Sequence, residues 1–191
     1  MNKRPLKKRV FVVALIAILI AITAAGSLAY YTAEERAHNV ITTGGVSIEL
    51  HEWADEDKTE SFPANGVSDV TPGLSVIKIA EVENIGSGEA WIRMQVEVSV
   101  TAADGSTQLP TDMVELDFDL ENWTKGDDGY WYYNASLKDG EITKPLFTSV
   151  TFATKMGNEY QESKCTVDVL AQAVQTANNG DSATEAAGWP A

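Results

Sequence analysis

Metal chemistry is the first question that the residue types raise, because His51-Glu52 begins like the H-E-x-x-H motif, which sets two imidazoles one helical turn apart with a carboxylate between them. The fifth position is Asp55, however, and the segment carries a strand pattern, in which residues four apart lie about 13 Å from one another. The chain has 2 histidines, so a zinc site would need His38, His51 and a carboxylate to converge through folding. His51 reads instead as an exposed strand residue. Asp117-Phe118-Asp119-Leu120-Glu121 opens like a calcium loop but lacks the glycine and the glutamate that such a loop carries at its sixth and twelfth positions. Asp55-Glu56-Asp57 and Asp127-Asp128 offer calcium only an opportunistic foothold, and no dedicated cofactor is expected. No glycine-rich phosphate loop, nucleophile elbow or serine–histidine–aspartate set stands out. These residues point to a structural protein rather than an enzyme.

Trp123, Tyr130, Trp131, Tyr132 and Tyr133 crowd one expected hairpin. Such rings can stack on sugars, which makes a cell-surface carbohydrate-binding module an alternative, with Trp131 its test position. Aromatics at alternating strand positions more often pair across strands and fill a core. Trp131 and Tyr133 share one parity, Tyr130 and Tyr132 the other. Cys165 is the lone cysteine, so no intramolecular disulfide is available; it shares a face with Val167 and Val169, as a buried, inert thiol would.

The elements that must position these residues are strands, because apolar side chains recur at every second position. Val46, Ile48 and Leu50 alternate with Ser47, Glu49 and His51; Ile92, Met94, Val96, Val98 and Val100 alternate with Arg93, Gln95, Glu97 and Ser99. Val114, Leu116, Phe118 and Leu120 alternate with Glu115, Asp117, Asp119 and Glu121, which predicts an acidic ladder on a solvent face. Further strands are predicted around 130–135, 146–153 and 164–174, separated by Gly126-Asp127-Asp128-Gly129, Lys138-Asp139-Gly140 and Met156-Gly157-Asn158. Between Leu74 and Asn84 the apolar positions keep no single parity, so a bulge near Ala80 or burial on both faces is expected. The sum is an all-β, antiparallel, jelly-roll-like β-sandwich over 45–177, with a barrel as the structural alternative. Residues 51–70 read as a long acidic loop and 178–191 as a C-terminal tail.

The first thirty residues read as an export signal. Lys3, Arg4, Lys7, Lys8 and Arg9 precede the apolar run Val10 to Ala25, and Ser27-Leu28-Ala29 presents small residues at the positions that a signal peptidase reads. Cleavage is expected between Ala29 and Tyr30, after a signal-peptide helix over 1–29. The competing reading is a retained membrane anchor, since Val10 to Ala29 could just span a bilayer with Gly26 and Ser27 near its outer end, although the strongly apolar part is shorter than a typical span. Removing the leader's five basic residues from 14 leaves nine against 28 acidic ones, a net charge of −19. Nucleic acid is thereby disfavoured as a partner, and self-association becomes sensitive to salt. Membrane contact is expected only through the uncleaved leader. Asn122-Trp123-Thr124 and Asn134-Ala135-Ser136 match glycosylation sequons, which a bacterial leader makes coincidental.

Three stretches together resemble the TasA/camelysin family of Gram-positive exported matrix proteins. The first is the leader junction Gly26-Ser27-Leu28-Ala29-Tyr30-Tyr31-Thr32 with Asn39-Val40-Ile41-Thr42-Thr43-Gly44-Gly45-Val46-Ser47-Ile48. The second runs from Thr71-Pro72-Gly73 through Val82-Glu83-Asn84-Ile85-Gly86-Ser87 to Trp91-Ile92-Arg93-Met94, and the third is Ala171-Gln172-Ala173-Val174-Gln175. The resemblance implies a dedicated signal peptidase during export, a jelly-roll subunit located in the extracellular matrix or at the cell surface, and polymerisation with copies of itself into biofilm-matrix fibres. The N-terminal segment 30–44, carrying Tyr31, Val40 and Ile41, would then complete a neighbour's sheet. Camelysin-like metalloprotease activity is the alternative that the family implies.

Overall fold

The period-two patterning resolves, in a computed structural model that describes residues 41–42, 46–64 and 71–190, into strands and turns. The expected signal-peptide helix lies outside the described residues, which all fall within a compact unit, His38–Ala191. Ten strands are present among them: β1 (Ile41–Thr42), β2 (Ile48–Trp53), β3 (Ser75–Asn84), β4 (Ala90–Thr101), β5 (Gln108–Leu109), β6 (Val114–Leu116), β7 (Trp123–Lys125), β8 (Trp131–Tyr133), β9 (Phe147–Phe152) and β10 (Lys164–Gln175). They form two sheets, in the orders β1-β10-β4-β8-β7, with β5 also on β4, and β2-β3-β9-β6. Every pairing is antiparallel except β1 on β10, which is parallel. The fold is a β-sandwich.

Alternation decides which face of each strand is buried. On β4, Ala90, Ile92, Met94 and Val100 point into the core, while Gln95 and Glu97 face solvent. Ile48 and Val82 meet Phe147, Leu146 and Trp123 between the sheets, all among the most deeply buried side chains. β3 is the exception that its mixed parity predicts: its register against β9 shifts between Ile77 and Ala80, and residues 78–82 are buried on both faces. Its buried charges are paired, Lys78 with Glu52 and with the ring of Phe62, Glu81 with Lys58 and the indole N–H of Trp53. Leaving either charge unpaired would cost about 3–5 kcal/mol, a large share of a domain's stability.

Two segments are ordered differently from the expectation. The acidic alternation after Val114 stops being a strand at Leu116, and Leu120 is 74% exposed. The stretch read as a long acidic loop begins as strand to Trp53 and then closes on itself, with Ala54 N–H donating to Glu60 and Phe62 N–H to Glu52.

The aspartates explain both departures, because they fasten turns rather than line a face. Asp55 accepts from the backbone of Thr59 and Glu60, Asp104 from Ser106 and Thr107, Asp117 from Thr148 and Ser149, and Asp119 from Glu121 and Asn122. Asp55, Asp117 and Asp119 thus spend side-chain oxygens on internal donors. A buried amide does the same between β3 and β4, where Asn84 donates to Gly88 and Leu137 carbonyls and accepts from Gly86 N–H.

Asn84→Ala leaves the buried Gly86 N–H without its acceptor and takes one donor from the Gly88 and Leu137 carbonyls, and is expected to lower stability by about 2–4 kcal/mol in urea unfolding. Acid should act through the aspartates. Hydrogen bonding holds Asp55, Asp117 and Asp119 below their ordinary value of 3.8, and Asp104 down to about 2. A carboxylate depressed in the fold contributes stability that is complete above 3.8 and lost as pH falls through the folded value, so the urea midpoint should decline progressively between pH 3.8 and about 2.

Candidate functional site

One border of the sandwich, along β10, carries the described part of the expected donor segment. Of the expected donor residues Tyr31, Val40 and Ile41, only Ile41 is described; it lies in β1, opposite Gln172 of β10, with Thr42 opposite Ala173. Tyr31, Val40 and the expected cleavage pair Ala29 and Tyr30 lie outside the described residues. On its other side β10 pairs with β4 along its whole length, from Lys164 on Thr101 to Gln175 on Ala90. From Lys164 to Ala171 its outer border meets no strand among the described residues. Such a row of backbone groups is a template for another strand.

Burial along that border is graded. Ala171 and Ala173, near β1, are buried to 2% and 0% exposure. Away from β1, Cys165, Val167 and Val169 are only half-buried, and so are Val96 and Val98 on β4 and Leu50 on β2. The stretch of β10 without a strand partner among the described residues therefore coincides with apolar side chains that are only half-buried.

The outer face of the same sheet is closed by the segment read as a tail. Tyr132, Arg93 and Gln172 lie side by side on β8, β4 and β10. The Arg93 Nε–H donates to Gln172 Oε1 at 2.8 Å and Nη1 to the Tyr132 hydroxyl at 3.3 Å, while Asp128 lies 3.6 Å away. Its guanidinium stacks on Tyr130 at 3.7 Å and Trp189 at 4.7 Å, and Nη2 donates to the carbonyl of Pro190. Trp91 donates to Asn179, further fastening residues after β10. The aromatic cluster is thereby divided. Trp123 and Trp131 fill the core, with Trp131 stacked on Phe118 at 4.3 Å, and Tyr130 and Tyr132 serve Arg93. The parity argument anticipated this division; nothing in local sequence linked Arg93 to Trp189, 96 positions away.

On the other sheet, His51 stacks on Trp53 with ring centroids 5.5 Å apart, and its Nε2 lies 2.9 Å from a Glu83 oxygen. Glu49 stands beside them, its ligand oxygen within 4.8 Å of both. Glu49 and Glu83, absent from the sequence-derived candidates, become neighbours only through strand register. His38, the expected partner of His51, lies outside the described residues. Among the described residues no helix is long and apolar enough to cross a membrane.

Cys165 is free and sits on the half-buried border strand, where burial pushes its thiol up to about 11. At pH 8 it should react with iodoacetamide many-fold slower than in urea, the gap narrowing as pH approaches 11, as followed by mass spectrometry. No family model, curated protein or solved structure matches this chain.

Proposed function

We propose that this chain is an exported structural subunit that polymerises into extracellular matrix fibres by donating its N-terminal segment to the sheet of a neighbouring copy. The observation that supports the reading is the border of β10, which pairs with β1 over two residues and meets no other strand there among the described residues. The parallel register of Ile41 on Gln172, continued backwards by residue number, brings Ala33 opposite Lys164. The stretch preceding β1 therefore has the length to fill the open border, and strand addition would also cover the half-wet Val167 and Val169.

The same contacts serve within one chain or between two. β1 leads into β2 through Thr43-Gly44-Gly45-Val46-Ser47, a short connection containing two glycines, and opening it would let β1 and its preceding residues pair with another copy's β10. Leader cleavage supports the order of events, since a membrane-held N-terminus cannot travel to a neighbour. The resemblance to the TasA/camelysin family supports the extracellular, biofilm-matrix setting.

Protein beginning at Tyr30 should form filaments visible by electron microscopy, and protein lacking residues 30–43 should stay monomeric; equal polymerisation by both would remove the donor-strand reading. Because the exported chain carries a net charge of −19, filament growth should be several-fold faster in about 0.5 M salt, where the Debye length shrinks to a few ångströms, than at low ionic strength. Light scattering against salt concentration measures this.

A further inference from the structure

The outer face of the β2–β3 pair holds a feature that polymerisation does not use. Glu49 and Glu83 are direct cross-strand partners, and His51 lies two residues along β2 on the same face. Like charges placed opposite one another destabilise a ladder unless a cation lies between them. Among the described residues neither glutamate forms an ion pair with lysine or arginine: Lys58 is committed to Glu81, Lys78 to Glu52 on the opposite face, and Arg93 to the other sheet. The remaining corner of the four-residue patch, Glu81, is 2% exposed and turned toward Lys58 and Trp53, so it does not crowd the other three.

We infer that Glu49, His51 and Glu83 form a binding site for one first-row divalent cation of the zinc type, spanning β2 and β3. The donor set fits that class. A neutral imidazole nitrogen with two carboxylates gives three ligands and brings charge to zero around a dication; the imidazole favours zinc-like ions over calcium or magnesium, which prefer all-oxygen shells. The geometry fits as well. The 2.9 Å between His51 Nε2 and Glu83 Oε2 is a direct hydrogen bond, and stacking on Trp53 holds the ring in that direction. A parting of about half an ångström would bring the two atoms to the roughly 3.4 Å that separates tetrahedral ligands at about 2.1 Å. Glu49 is exposed and free to swing through the remaining distance. His51 and Glu83 side chains are 18% and 30% exposed, so the remaining coordination positions open to water.

The ion would clip the strand that follows β1 to the centre of its sheet. It would bind the single chain, so its presence or absence is independent of filament formation. The full-length chain, stripped with chelator and titrated with zinc chloride in calorimetry, should take up one equivalent per chain and show a raised melting temperature. His51→Gln and Glu83→Gln should each weaken binding by about tenfold or more, and Glu49→Gln, an exposed change that leaves the fold intact, by a smaller but measurable factor. His38→Gln should leave affinity unchanged. No zinc uptake, uptake insensitive to His51→Gln and Glu49→Gln, or calcium binding as tight as zinc would each overturn the site. If His51→Gln or Glu83→Gln melts abnormally without metal, the Glu49→Gln titration decides.

Discussion

Twelve residues of β10 lie against the twelve of β4, and the rest of the architecture takes its position from that ladder. Its inner face supplies Ile92, Met94, Ala171 and Ala173 to the core. Its outer face supplies Arg93 and Gln172, one from each strand, to the row beneath Trp189. Its free border receives β1. A one-residue slip would exchange the two faces, placing Arg93 between the sheets and Ile92 in water, so the register is fixed from both sides at once.

Both sheets solve the same difficulty, that of keeping charged residues on strands whose outer faces are covered. Arg93 has lost most of its water and recovers its hydrogen bonds from Gln172, Tyr132 and Pro190, with two aromatic faces against the guanidinium. Glu81 does so through Trp53 and Lys58. Removing one partner from such a group is costlier than the pair is beneficial, because the charge left behind stays buried. The covering segments, 54–62 and 176–190, are thus bound to the strands by polar contacts that local hydrophobicity does not reveal.

That distinction separates what was legible from what was not. Period-two burial identified β4 and β10 with their faces, and the broken parity before Asn84 located the register shift between Ile77 and Ala80. Leu120 misled because an isolated alternating pattern cannot report that Asp117 and Asp119 have spent their oxygens on Thr148, Ser149, Glu121 and Asn122. Trp189 read as part of a polar tail because its partner is 96 positions away. Glu49 and Glu83 were invisible as a pair for the same reason: their proximity is a property of register, 34 residues apart, and neither matches a motif.

The β10 border also frames the assembly proposal energetically. If β1 and the residues before it pair with β10 in the same way within a chain and between chains, closure and donation make nearly the same contacts, and neither gains much in direct free energy over the other. The balance then rests on terms that depend on surroundings: the effective concentration of a chain's own N-terminus, and the repulsion between subunits that the proposed loss of the leader would bring to a net charge of −19 each. Crowding of subunits raises the intermolecular term, and screening lowers the repulsion. Among the described residues that border carries only the two-residue pairing of β1, beside the half-buried Val167 and Val169, so the same few contacts can be made by a chain's own N-terminus or by a neighbour's, and the surroundings decide between them.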